Sequence, residues 1–337
     1  MKTPLYSVAA LGPTAGCSVS RAAAINDKGL VIGHSHQENV DEEVACLWEG
    51  GRVHDLGRIR VNTINNKGQI VGCRLNAPLS FRAVLCDNRQ PQNLFQNNSA
   101  VTNAQGINDA GQVVGYALAP PAKWKTPADI KRGAFLWERG KRRYLQTPPG
   151  YRAVGATAIN SQGTVVGNVW LPGTDDERNH EHAVVWQAGA VKLLGEPQGF
   201  HSTQAEAVND LGLILVWAKI LTILSKDTYE CKQQSYLWRD GQWQVIEGMG
   251  LAHSLNNRGQ VVGWIGIEPK AAPGANEHGD VHAAVWEAGE VMDLNDVLPT
   301  ASGWMLKRAT GINNPGQIVG DGVYRGKARA FLLTPIT

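Results

Sequence analysis

Apolar residues in this chain come in short runs, each halted by a polar turn that carries glycine. The runs are rich in Val, Ile, Trp and Phe. They are too brief and too punctuated for helices, so the pattern predicts β-strands throughout. One phrase recurs seven times: an apolar residue, Asn, two variable residues, Gly, then an apolar run. It reads INDKGLVIG from Ile25, INNKGQIVG from Ile64, INDAGQVVG from Ile107 and INSQGTVVG from Ile159. It continues as VNDLGLILV from Val208, LNNRGQVVG from Leu255 and INNPGQIVG from Ile312. The shared asparagines, Asn26, Asn65, Asn108, Asn160, Asn209, Asn256 and Asn313, follow one another at 39 to 57 residues. Asn-x-x-Gly between apolar runs predicts a hairpin turn, with Gly free to take positive φ and Asn tolerant of it.

Each repeat has a second half. A loop leads to a pattern such as Ala45-Cys46-Leu47-Trp48, Ala134-Phe135-Leu136-Trp137 or Ala183-Val184-Val185-Trp186. A glycine turn and a closing strand follow, as in VHDLG from Val53 and VKLLG from Val191. Four strands per repeat, seven times over, predict an all-β fold: one domain over residues 1–337, a β-propeller of seven four-stranded blades. The last repeat stops at Ala328-Arg329-Ala330-Phe331-Leu332-Leu333, short of a fourth strand. The segment 5–12, Leu5-Tyr6-Ser7-Val8-Ala9-Ala10-Leu11-Gly12, reads as that strand and is expected to pair into the blade formed by about 304–335. Closure of this kind removes the open end that a linear stack of repeats would leave.

Composition narrows the field. A formal charge of +2 argues against a nucleic-acid footprint, and no apolar run is long enough for a membrane span. Five cysteines without a Cys-x-x-Cys spacing predict neither a disulfide framework nor a zinc site; Cys46 and Cys86 fall at apolar strand positions. No signal-peptide stretch follows Lys2, so a cytoplasmic location is expected as written, and a secreted or periplasmic one if a leader has been removed.

The phrases resemble the HAF repeats of bacterial proteins, named for a His-Ala-Phe triplet before the Trp. Here the triplet reads His182-Ala183-Val184, His282-Ala283-Ala284, Arg82-Ala83-Val84 and Arg329-Ala330-Phe331. The resemblance covers nearly the whole chain. It implies a propeller and carries no particular activity; many of its members look secreted.

The strand before each Asn turn is expected to line the central channel, with the variable loops at its upper mouth. Two positions before the apolar residue that precedes each Asn stand Ala23, Asn62, Gln105, Thr157, Glu206, His253 and Thr310. Four positions before it stand Arg21, Arg60, Asn103, Gly155, Gln204, Leu251 and Arg308. The residues between are small or apolar, so period-two alternation predicts a polar ring at the mouth. Arg21, Arg60 and Arg308 come from neighbouring blades once the ring closes, with Lys307 beside them. Three guanidiniums on one side suit a carboxylate or phosphate. Glu206 and His253, on adjacent blades, suit acid–base work or a structural ion pair. Asn62, Asn103, Gln105, Gln204, Trp217 and Trp264 complete the expected ligand-binding set, with the alternative that both tryptophans pack between blades. His34 and Tyr116 share the place that Trp217 and Trp264 occupy.

Further chemistry sits in the loops: Pro120 to Lys125 with Trp124, Trp170, Asp175 to His180, and Pro269 to Asp280. His180, His182 and the nearby acids have some of the elements of a metal site, but His182 also holds a repeat position, so a structural role and no metal are expected. Trp48, Trp137, Trp186, Trp238 and Trp286 share one repeat position and are expected in the core. Blade five departs from the pattern: Val216 replaces Gly, and Ile220-Leu221-Thr222-Ile223-Leu224 reads either as an apolar surface loop that roofs the central pocket or meets a partner, or as a longer second strand.

No Gly-x-Ser-x-Gly, His-Glu-x-x-His, phosphate loop or dinucleotide fingerprint is present, and no cofactor is implied. The favoured expectation is a propeller that binds a small anionic molecule or a protein partner at an Arg-lined mouth. The alternative is a propeller lyase, isomerase, cyclase or hydrolase using Glu206 and His253, with the arginines as a clamp. A lectin with repeated rim sites is a weaker third.

Overall fold

Each repeat forms one antiparallel sheet, and the seven sheets make a seven-bladed β-propeller in a computed structural model. The description covers residues 5–40, 42–77, 80–95, 101–118, 132–171, 181–225, 228–267 and 280–336. Strands follow one another within a blade in chain order, with one exception. Tyr6–Leu11 lies beside Lys327–Pro335, so the last blade takes its outer strand from the N-terminal end of the chain. The pairing runs from Tyr6 opposite Pro335 to Leu11 opposite Ala330.

The chain divides into two compact units: residues 1–68 with 246–337, and residues 69–245. The first holds blades six, seven and one and the first strand of blade two. The second holds the remainder of blade two and blades three, four and five.

The core sits between consecutive blades. In the first unit, Val262, Ala283 and Leu294 of blade six pack with Leu306, Phe331 and Leu333 of blade seven. Leu11, Val319 and Ala330 of blade seven pack with Ala22, Cys46 and Trp48 of blade one. In the second unit, Trp186 and Trp238 close the equivalent layers. The repeated tryptophan is therefore a core residue, as its periodicity predicts. In two of the five the indole nitrogen donates to the preceding blade, from Trp48 to the Gly12 carbonyl at 2.7 Å and from Trp186 to the Gln146 carbonyl at 2.6 Å. Those of Trp137, Trp238 and Trp286 are buried without a partner among the described residues. Cys46 and Cys86 are buried and unbridged.

The repeated asparagine has a different reason from the one its turn suggests. Positive φ falls on the glycine of each turn, such as Gly29 at 76°, and on none of the seven asparagines. Instead the Asn side chain works in both directions. Asn26 Oδ1 accepts from the Lys28 and Leu30 amides within its own turn, and its Nδ2 donates to the Asn65 carbonyl of the next blade at 2.9 Å. In the first unit the rungs run Asn256 to Asn313 to Asn26 to Asn65. In the second they run Asn108 to Asn160 to Asn209. All are buried, so each amide satisfies polar groups that no water reaches.

A second stitch uses the Ala of the triplet. The Ala330 amide donates to Ser20 Oγ at 3.1 Å, which donates to the Leu11 carbonyl at 2.6 Å. Ala183 and Thr203 repeat this link one blade apart. The triplet's first residue is structural too. His182 meets Glu196 and His282 meets Asp293, each at 2.6 Å, while Arg329 donates to the Ser18 carbonyl.

Blade five resolves its alternatives as a hairpin. Its second strand runs Ile214–Ser225 and pairs with Thr228–Arg239, so residues 220–224 are strand and not a surface loop. The β-branched Ile220, Thr222 and Ile223 and the absence of a breaker let the ladder continue.

Candidate functional site

The first strands of blades six, seven, one and two bring the charged residues of the first unit together. They are Leu251–Leu255, Trp304–Ile312, Val19–Ile25 and Arg60–Ile64. Arg21, Arg60 and Arg308 are all exposed, and none has an ion-pair partner among the described residues. Register places Arg21 opposite His34, Arg308 opposite Asp321 and Leu251 opposite Trp264. His34 Nε2 accepts from the Val61 amide at 3.2 Å, which ties blade one to the first strand of blade two just beside Arg60.

The electrostatics form one connected set. Burial lowers the His34 pKa; the nearby Glu43 opposes this, and Arg60 and Arg21 add to it. Burial raises the Asp321 pKa against the pull of Arg308 and Arg21. Burial, with Arg308 adding, pushes His253 down to about 4. Both imidazoles are thus neutral at pH 7; of the acids, Asp321 feels Arg308 and Arg21, and Glu43 acts on His34 from beside Arg60 and Arg21. Lys307 does not join them: its Nζ pairs with Asp280 at 2.8 Å.

Asp321 was not among the residues expected from sequence. Its signal was present, because it follows the Ile-Val-Gly run at the place His34, Tyr116, Trp217 and Trp264 occupy in other blades. Trp264 is half-buried there, as is Asn62 on its own strand.

Strict alternation along the first strands does not hold. The pairing register shifts between Ala22 and Ala24, Ala104 and Gly106, Ala156 and Ala158, Ala205 and Ala207, Ala252 and Ser254, and Ala309 and Gly311. A β-bulge therefore sits at the position of Ala23, Gln105, Thr157, Glu206, His253 and Thr310 and re-aims that side chain. Two of these side chains bridge to the following blade. Thr157 Oγ1 donates to the Ala205 carbonyl at 2.7 Å and Thr310 Oγ1 to the Ala22 carbonyl at 2.9 Å.

In the second unit, Asn103 lies opposite Tyr116 and Gln204 opposite Trp217. Gln204 donates to the Glu181 carboxylate, so it is engaged within the protein. Burial, with Glu181 adding, raises Glu206 to about 7. Trp217 is half-buried. Trp124, the acids at 175–177, His180 and most of the 269–280 loop lie outside the described residues. Among the described residues no cluster of metal ligands occurs, and no helix is long and apolar enough to cross a membrane.

The two perturbed groups make a pH prediction. Unfolded, His253 takes up its proton near 6.5, and folded near 4, so its contribution to stability falls as pH drops from 6.5 to 4. Glu206 releases its proton near 4.5 unfolded and about 7 folded, so its contribution falls as pH rises through that range. Each is worth at most about 3 kcal/mol, and between pH 4.5 and 6.5 they oppose each other. Glu206→Gln should therefore make stability climb with pH across that window, and His253→Gln should make it fall. Urea midpoints measured at half-unit pH steps would check this; parallel curves for both variants and the parent would refute it.

No family model matches the chain, and no curated protein matches it in sequence. Solved structures do resemble it. The β-propeller domain of the Trilobed protease from Pyrococcus furiosus superposes with a TM-score of 0.62 at 12% identity, covering 94% of this chain and 93% of that one. The Pyrococcus horikoshii acylaminoacyl peptidase gives 0.59 at 14% identity, covering 95% of this chain and 52% of that one. An acylaminoacyl peptidase bound to Z-Gly-Gly-Phe-chloromethyl ketone gives 0.58 at 14% identity, covering 94% and 51%. This chain spans about half the length of those two peptidases. At such identities the likeness is one of fold. The Pyrococcus furiosus propeller is described as having an open velcro topology; here the outer strand of blade seven comes from the other end of the chain.

Proposed function

We propose that the arginine-lined ends of the first strands in blades six, seven, one and two bind a small molecule carrying a carboxylate or phosphate. The observation that carries this is the set Arg21, Arg60 and Arg308, exposed, converging and without ion-pair partners among the described residues. Such forks match a planar or tetrahedral oxyanion bidentately. The neutral imidazoles of His34 and His253 leave the charge of the set to the arginines and their two acids, and Trp264, opposite Leu251 in register, lays its ring against Gly250.

The test is thermal unfolding with a panel of anionic metabolites. A ligand at about 100 times its Kd adds about 2.7 kcal/mol to the parent. It should leave Arg60→Ala/Arg308→Ala unshifted. Equal shifts in both proteins would remove the arginines from the site.

A second reading treats the protein as an enzyme. Within the first unit, His253 at about 4 stays unprotonated near neutrality beside Arg308, which suits a base next to a clamped anion. Against it, Thr157 and Thr310 use the same bulge position for backbone bridging. If a panel ligand is turned over, His253→Gln should lower kcat by about a hundredfold or more; unchanged kcat would leave binding alone.

A further inference from the structure

We propose that the hairpin closing blade three is a separate site for a small ligand bearing two or more linked phosphates. Its third strand, Arg132–Glu138, turns through Arg139 and Gly140, both at positive φ, into Lys141–Tyr144. Register sets Leu136 opposite Arg143 and Glu138 opposite Lys141, so these four share a face. With Arg139 and Arg142 they line a cavity of about 420 Å³, within the range of small-ligand sites.

Four cations and one carboxylate surround that space. Glu138 is already engaged, accepting from Gln112 Nε2 at 3.3 Å. The Arg142 guanidinium is held over the rings of Phe95 at 4.7 Å and Tyr144 at 5.0 Å. Arg139, Lys141 and Arg143 have no ion-pair partner among the described residues, and all four residues of the strand are exposed. One fixed guanidinium beside three adaptable cations fits a ligand whose charge is spread over adjacent phosphates.

Protection of a sheet edge is the plain alternative, since edge strands often carry lysine to prevent pairing. The other outer strands argue against it. Arg52–Gly57 and Ala190–Leu193 hold one basic Lys or Arg each, while Gln90–Asn93, Gln242–Val245 and Glu290–Asp293 hold none. Edges in this protein are kept safe without a cationic cluster. The same comparison decides between a compact ligand and a polymer. The outer strands of blades two and four offer no continuing basic track, which a nucleic acid or acidic polysaccharide would need.

The experiment is calorimetric titration with inorganic pyrophosphate at low ionic strength. It is done in the Arg60→Ala/Arg308→Ala background, so that the site proposed above is silent. One-site binding is expected, weakened about tenfold or more by Lys141→Ala/Arg143→Ala. Lys141→Gln/Arg143→Gln, measured beside it, keeps side-chain length and should weaken binding similarly. Equal affinity with and without these changes would overturn the site. Tighter binding of a short single-stranded oligonucleotide than of pyrophosphate would overturn the compact ligand.

Discussion

Replacing Asn313 with alanine is expected to lower the free energy of unfolding by about 2–4 kcal/mol. The side chain is buried and fully used. Nδ2 donates to the Asn26 carbonyl at 3.0 Å and to Gln317 Oε1 at 2.8 Å, and Oδ1 accepts from the Gln317 amide at 2.7 Å. Alanine leaves the Asn26 carbonyl with the Gly29 amide alone and takes from the Gln317 amide its side-chain acceptor, and unmade bonds cost more than made ones add. Aspartate separates the two halves of the role. It keeps an acceptor for Gln317 but turns an oxygen toward the Asn26 carbonyl. If the inter-blade rung dominates, Asn313→Asp is no better than alanine. If aspartate restores most of the stability, the local turn is what matters. Urea unfolding followed by tryptophan fluorescence reads both.

Gly320→Ala should cost about 3 kcal/mol or more. A Cβ there would meet the Arg308 carbonyl oxygen and approach Phe331 Cζ at 2.7 Å and Ala309 Cα at 2.9 Å. Backbone cannot yield as a flexible side chain can, and Phe331 is wholly buried. Gly33, Gly115, Gly167 and Gly263 face the same obstacle from Arg21, Asn103, Gly155 and Leu251. In these five blades the close approach accompanies a bulge in the first strand. Since Gly320 presses on Arg308 itself, the variant should also lose the anionic ligand. Gly266→Ala is the control, because nothing lies within 4 Å of its Cβ position and its φ is not positive. It should be neutral within about 0.5 kcal/mol. A neutral Gly320→Ala would mean that the strands relax apart more easily than their packing suggests.

The blade count, the tryptophan layers and the completion of blade seven were legible in the sequence because each follows from periodicity. Seven repeats of Asn-x-x-Gly fix where strands turn, and a missing fourth strand at one end matches a spare strand at the other. The bulges were not legible, since a register shift depends on which residues of two strands face each other and alternation in one strand carries no sign of it. The glycine that stands third in most of the second strands, opposite the bulged segment, is the trace they leave in the sequence. Asp321 was not legible for a related reason: it stands on a second strand, and only the pairing register sets it opposite Arg308. Lys307, next to Arg308 in sequence, is turned away by the shift between Leu306 and Arg308 and pairs with Asp280. The Asn role was half legible, because a turn explains a small polar residue but not why both ends of its amide are used.

The pairing of Tyr6 with Pro335 has a kinetic consequence. Joining segments so distant along the chain costs about 5 kcal/mol in loop-closure entropy before any of the contacts reward it. Blades one to six need only neighbours in sequence and can form as synthesis proceeds. Blade seven cannot, because its outer strand precedes blade one in the chain and its other three strands follow blade six. Until then the apolar edge beginning at Tyr6 stays unpaired, an aggregation hazard during refolding. Refolding should therefore end in a slow step set by the meeting of the two termini. A cut that moved the termini to the gap between two blades, with Ile336 linked to Leu5, would abolish it.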